Sequence, residues 1–221
     1  MNMITDKTRQ TRARTLFCAL LLLFPLFAPP VRAAMPSKGA AFAPQAYRGP
    51  LKVSANGRYL TYTDGTPFFY LADTGWEIYK RLKREEVDYY LQKRAAQGFT
   101  VIQTTALSQY DGLRAPNFYG HLPLRNMNPS TPNDAYFQHV DYVVNKTQEL
   151  GMYTAMMPTW GDKWNDAWGI GPLVFNPTNA RTYGAWIGNR YKGKAVIWIL
   201  GGDRIPSKTV HYEIMNAMAE G

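Results

Sequence analysis

"WILGGDR", Trp198 to Arg204, sets an acid behind an apolar run and two glycines. Gly201 and Gly202 let the backbone leave a strand in conformations that a side chain forbids, and they keep the space beside Asp203 open. One reading makes Asp203 a catalytic acid presented at the end of a strand. The other makes "GGD" a turn whose aspartate caps the next helix, because Gly and Asp are common turn residues. Asp73 ends "FFYLAD" (Phe68 to Asp73) in the same way. It could bind sugar hydroxyls or position another carboxylate, or it could cap the turn at Thr74 and Gly75.

The other polar and aromatic candidates follow apolar runs too. Gln103 and Thr105 close "FTVIQTT", and either could hydrogen-bond a substrate or satisfy buried backbone. "SQYDGLRAPNFYGHLPL" supplies Tyr110, Asp111, Arg114 and Tyr119. "PTWGDKWNDAW" (Pro158 to Trp168) puts three tryptophans, Asp162 and Lys163 in one polar loop. The tryptophans, Trp160 and Trp164 among them, are expected to form a stacking platform for a sugar ring, against the alternative of a loop folded over its own aromatics. Trp76 and Arg204 flank the two strand-end acids and complete the set of expected substrate contacts.

These residues need a scaffold that gathers strand ends. Asn56-Gly57 and Asp64-Gly65 are hairpin turns ahead of the first candidate strand. After Asp73 the period changes. "REEVDYYLQKRAAQG" places Val87, Tyr90, Leu91, Arg94 and Ala95 on one helix face, with Glu85 and Glu86 in the first turn and Gly98 at the end. A second helix starts at the Asn133 cap, carries Tyr136, Val140, Val143, Val144 and Thr147 on its stripe, and ends at Gly151. A third opens on Asn176-Pro177, buries Ala180, Tyr183, Ile187 and Tyr191, and ends at Gly193.

Strands are expected at Phe68 to Asp73, Phe99 to Thr105, Met152 to Met157 and Ala195 to Leu200, and a last helix begins at "SKTVHYEIMNAMAEG". Helix, glycine, then apolar strand, three times over, means βα units and a parallel sheet. A doubly wound dinucleotide fold wants G-x-G-x-x-G after its first strand, and "ADTGW" stands there instead. Long aromatic loops after each strand fit a (β/α)8 barrel, whose site sits on those loops. Four units are present where the barrel has eight, so the sequence reads as the front half of one.

The amino terminus has a different character. Lys7, Arg9, Arg12 and Arg14 precede the apolar run Leu16 to Ala28, and Val31-Arg32-Ala33 suits cleavage after Ala33. Residues 1–33 read as a secretory signal peptide, too short to span a membrane, followed by a linker over 34–50 and a domain over 51–221. A lipoprotein anchor is the rival, but Cys18 lies in the middle of the apolar run. As Cys18 is the only cysteine, the exported chain would have no thiol chemistry. The protein is expected to be secreted or periplasmic, with no membrane association once the leader is removed.

The leader carries five of the basic residues and one of the acidic ones, so the formal charge of +9 falls to +5 without it. Basic residues are scattered apart from "KRLKR", and nucleic acid is not an expected partner. There is no P-loop and no Cys/His cluster, and His121, His139 and His211 are dispersed. Neither a zinc site nor a Ser-His-Asp triad is indicated, and no metal or other cofactor is called for. Carboxylates and aromatics on barrel loops of an exported protein suit glycoside hydrolysis, with an oligosaccharide or polysaccharide as partner.

Taken together, "FFYLADTGWE", "GFTVIQTTAL", "YDGLRAPNFYGHLPL", "YFQHVDYVV", "PTWGDKW" and "WILGGDR" resemble the apiosidase-like catalytic domain of glycoside hydrolase family 140. The resemblance runs from about Leu51 to the end of the chain. It implies a (β/α)8 hydrolase acting on apiose-containing side chains of plant cell-wall pectin, with the aspartate of the GGD motif, Asp203, as one of two catalytic carboxylates. In barrels of this design the fourth strand supplies the general acid/base and a later strand the nucleophile. Strands five to eight and that second carboxylate are not found here, and Glu213 and Glu220 fall in the last helix. A non-catalytic carbohydrate-binding remnant and a non-functional fragment are therefore the alternatives.

Overall fold

The computed structural model describes residues 46–221. The expected signal peptide and most of the linker lie outside the described residues. Packing begins at Tyr47, ahead of the expected domain start at Leu51. The Tyr47 ring lies 5.5 Å from that of Tyr153, and the Gly49 carbonyl accepts from the Tyr153 hydroxyl.

A short antiparallel hairpin comes first: β1 (Leu51–Val53) pairs with β2 (Leu60–Tyr62), turning through Asn56-Gly57. Then four parallel strands follow in spatial order of sequence, β3 (Ala72–Thr74), β4 (Val101–Leu107), β5 (Tyr153–Thr159) and β6 (Val196–Trp198). Helices α1 (Ile78–Arg81) and α2 (Arg84–Ala96) connect β3 to β4. Helix α3 (Asp134–Glu149) connects β4 to β5, α4 (Pro177–Arg190) connects β5 to β6, and α5 (Thr209–Glu220) follows β6. Sequential parallel strands joined by helices are the arrangement of a (β/α) barrel, of which the described residues form four units.

The expected helix stripes are the buried faces. Val87, Leu91 and Ala95 of α2 are buried, as are Tyr136, Val140, Val143, Val144 and Thr147 of α3, and Ala180, Tyr183 and Ile187 of α4. Asn176 caps α4 by accepting from the Asn179 amide at 3.0 Å, with Pro177 at the first helical position. Asn133 stands at the start of α3 without that bond, its side chain instead donating to the Leu122 carbonyl at 2.8 Å. Midway along α4, Gly184 lets the last turn of α5 approach closely, since a Cβ there would lie 2.2 Å from the Met218 carbonyl oxygen.

Alternation along the strands divides the core in two. Ile102, Ala106 and Met156 face the helices. Val101, Tyr153, Ala155 and Ile197 form the opposite, inner face with Tyr62, Phe68 and Leu60 from the hairpin segment. Phe68 meets Tyr62 and Tyr153 edge-on at 5.5 and 5.1 Å. Val101 and Tyr153 are the first residues of their strands, so the hairpin covers the amino-terminal end of the inner face and leaves the carboxyl-terminal end to the long loops.

The strands sit later or run shorter than expected. β4 and β5 extend two residues further, to Leu107 and Thr159, while β6 covers only Val196–Trp198. The expected buried strand at Phe68 to Asp73 is the largest departure. Phe69, Tyr70 and Leu71 are exposed, and ladder pairing starts only at Ala72. Among the described residues β3 has a neighbour on one side alone, and the Thr100 hydroxyl stands in for the ladder by donating to the Phe69 carbonyl and accepting from the Leu71 amide, at 2.6 and 2.9 Å.

Candidate active site

The four strands end on one side, and the segments that follow them touch. The Gly75 amide donates to the Gln103 carbonyl at 2.8 Å, and the Trp160 amide to the Leu107 carbonyl at 3.0 Å. Trp76, after β3, meets Trp160, after β5, edge-on at 5.0 Å. Gly202, after β6, lies against Trp160, where even a methyl group would stand 3.4 Å from the ring.

Asp203 sits in the bend that follows β6 rather than at the strand's last residue. Gly201 and Gly202 have φ of +95° and +64°, backbone that favours glycine, so the residue before the acid has no side chain for conformational reasons. The Asp203 side chain is 45% exposed, and its Oδ1 accepts from Arg204 Nη1. Among the described residues its other oxygen has no hydrogen-bond partner.

Arg204 was expected to contact substrate, but its side chain is 1% exposed. It runs past Gly161, where a Cβ would come within 2.1 Å of Arg204 Cγ, and its Nη2 donates to the Trp168 carbonyl at 2.9 Å. The guanidinium thus ties the loop after β5 to the acid after β6.

Asp162 and Lys163, also expected to meet substrate, are buried. They form a short 3-10 turn with Gly161, and Lys163 Nζ lies 2.7 Å from Asp162 Oδ1 with both side chains out of contact with solvent. Burial pushes the lysine ammonium below its usual range, with the Asp162 carboxylate partly offsetting it. Asp162 Oδ2 accepts from the Gly171 amide at 3.0 Å, and the Lys163 carbonyl accepts from Val174 and Phe175. The pair anchors the loop.

The three tryptophans of that loop differ in exposure. Trp164 is buried against His211 with ring centroids 5.5 Å apart, and Trp160 is buried between Trp76 and Gly202. The third tryptophan, Trp168, is the exposed one. Asp73 faces the helices: its Oδ2 accepts from Tyr90 at 2.7 Å and from Arg94, both on α2. Its burial works to raise the carboxyl, but the two donors prevail and hold it below the ordinary range.

Gln103 lies on the inner face of β4 and is only partly buried, where a ligand could reach it. Tyr110 is exposed after β4, its carbonyl accepting from Lys80. Asp111 takes φ of +54° in the same turn, and its carboxylate lies 3.5 Å from Arg114. Trp76, Trp160, Asp203 and Arg204 are therefore brought together, Tyr110, Asp111 and Arg114 lie on the neighbouring loop, and Asp73 is turned away.

Four such units with a carboxylate on the loop-bearing end are part of a (β/α) barrel, a fold that hosts many chemistries, glycoside hydrolysis among them. A family model described as "Apiosidase-like, catalytic domain" matches residues 54–221, and the chain belongs to that family. Among solved structures, a glycoside hydrolase family 5 protein from Bacteroides vulgatus ATCC 8482 is 31% identical, with a TM-score of 0.65 over 77% of this chain and 36% of its own. Another, described as a glycoside hydrolase, is 30% identical, with a TM-score of 0.66 over 79% of this chain and 39% of its own. The chain thus spans less than two fifths of the length of these structures. Comparison with curated proteins finds no match.

Proposed function

We propose that the chain carries the first four βα units of the catalytic barrel of an exported glycoside hydrolase, which cleaves apiose-containing side chains of plant cell-wall pectin. The observation that carries this reading is Asp203. It is a half-exposed carboxylate with one oxygen held by Arg204 and the other unpartnered among the described residues, on the loop side of a barrel in an apiosidase-like domain.

Hydrolysis of this kind needs two carboxyl groups flanking the bond, about 5–5.5 Å apart for retention and roughly 6.5–9.5 Å for inversion. Asp203 serves as the general acid/base that protonates the leaving oxygen. Its partner comes from a later strand of the complete barrel. Gln103, Tyr110, Asp111 and Arg114 bind sugar hydroxyls on the same side. The leader, residues 1–33, directs export and is removed, so the exported protein begins near Ala34, which amino-terminal sequencing checks.

The test is Asp203→Asn in the intact protein. Loss of proton transfer should cost about 10²–10⁴-fold in turnover of a pectic oligosaccharide. The defect should shrink for an aryl glycoside, whose leaving group needs little protonation, and the melting temperature should hold. Unchanged turnover on both substrates would remove Asp203 from the mechanism. Equal and near-total loss on both would make it the nucleophile instead.

A further inference from the structure

Trp168 stands apart from the other aromatics of its loop. It is 55% exposed, whereas Trp160 and Trp164 are 6% and 2% exposed and have no free face for a ligand. Its own position is nonetheless fixed. The Arg204 guanidinium lies over one face of the indole, and Nε and Nη2 of the same group donate to the Trp168 carbonyl at 3.3 and 2.9 Å. The remaining arm of that guanidinium, Nη1, holds Asp203 Oδ1. One buried cation therefore sets the distance between an exposed aromatic ring and the exposed acid. A concavity of about 250 Å³ opens beside the ring, and the half-exposed carboxylate of Asp166, whose Oδ2 accepts from Lys208 at 2.5 Å, lines it with Trp168.

We infer that Trp168 is the stacking platform of a sugar subsite adjoining Asp203. Arg204 backs one face of the indole, a pyranose or furanose ring lies on the other, and Asp166 accepts from its hydroxyls. A flat apolar face beside a carboxylate acceptor matches a sugar, which presents C–H bonds on its face and hydroxyls at its rim. Because the guanidinium already holds the ring, little side-chain freedom is lost on binding. This inference rests on the glycosidase reading and adds to it the residue that seats the sugar next to the acid.

The experiment is a calorimetric titration of the intact protein with apiose-containing pectic oligosaccharides, in an Asp203→Asn background so that ligand is not consumed. Trp168→Ala should weaken binding roughly ten-fold, the scale of one lost aromatic contact. Trp168→Tyr should recover most of the loss. In the active protein, Trp168→Ala should raise KM by a similar factor, with a smaller change in kcat. Trp168→Phe, which keeps a ring in place, should abolish most of the ligand-induced change in tryptophan fluorescence, so the idea stays testable if the alanine variant folds poorly.

Two results would overturn it. Unchanged affinity in Trp168→Ala with a lowered melting temperature would make the ring a cover for Arg204, while the glycosidase reading stands. A wild-type protein that neither binds nor cleaves the oligosaccharides would remove both.

Discussion

Lys163 Nζ and Asp162 Oδ1 form an ion pair 2.7 Å long between adjacent residues, at the root of the loop that carries Trp168, with neither side chain in contact with solvent. A buried pair contributes little net stability against an apolar replacement, but removing one partner strands the other charge. Lys163→Met should therefore cost about 3–5 kcal/mol. The double variant Asp162→Asn with Lys163→Met should recover much of that, even though the amide replaces a carboxylate that accepts from Gly171. Urea denaturation midpoints read the difference. A double variant less stable than Lys163→Met alone would contradict this.

Gly161→Ala places a methyl group 2.1 Å from Arg204 Cγ and 3.1 Å from the Gly201 carbonyl oxygen. The arginine stem cannot yield without moving its guanidinium off Asp203 and Trp168. The expected cost is about 1–3 kcal/mol of stability, the usual range for an overpacked site, together with a fall in kcat from the displaced acid. Thermal melts and single-turnover rates check it. A variant as active and stable as the parent would mean that the Arg204 clasp is dispensable.

The helices were legible in the sequence because their stripes repeat at 3.6 residues and their ends carry Asn, Pro and Gly, and the buried faces of α2, α3 and α4 follow that pattern. The strand ends were less legible. "FFYLAD" has the composition of a buried strand, yet only its last two residues join the sheet, as β3 has a neighbour on one side only. At the site, Asp203 and its two glycines could be picked out, because positive φ leaves a mark in the residue type. The orientation of Asp73 could not, since a one-residue change of register turns a side chain from the inner face to the helices. The clue was Arg94 on the apolar stripe of α2, a cation that needs a carboxylate partner. Likewise, nothing in "WGDKWNDAW" says which tryptophan stays exposed, because Arg204, which orders that loop, comes 36 residues after Trp168.

Alkaline pH should unfold the domain steeply. Burial raises the phenols of Tyr79, Tyr136, Tyr183 and Tyr191 above their ordinary value near 10. The folded state therefore keeps protons that the unfolded chain gives up. The stabilisation is complete below pH 10 and is lost as pH rises through the folded values. Four such groups make stability fall by roughly 5 kcal/mol per pH unit above about pH 10. Absorbance of tyrosinate at about 295 nm should rise in two stages. A second, cooperative rise should coincide with loss of circular dichroism. Smooth titration of every tyrosine with the dichroism intact would rule this out.

Asp73→Asn separates a structural role from a substrate contact. The carboxylate takes hydrogen bonds from Tyr90 and Arg94, and its pKa is held below the ordinary range, so its contribution is present above pH 4 and lost as pH falls through the lowered value. The side chain is 27% exposed, and partial screening limits the expected loss at neutral pH to about 1 kcal/mol. The difference between parent and variant should shrink as pH falls through the lowered value, where the parent carboxylate becomes protonated too. Tyr90→Phe should cost less, as Arg94 still pairs with the acid. Since the carboxylate points at α2, KM for a pectic oligosaccharide should not change in either variant. Denaturation curves at pH 7 and at a series of falling acid pH values, with initial rates at neutral pH, decide the matter. A raised KM at unaltered stability would return Asp73 to the substrate side of the sheet.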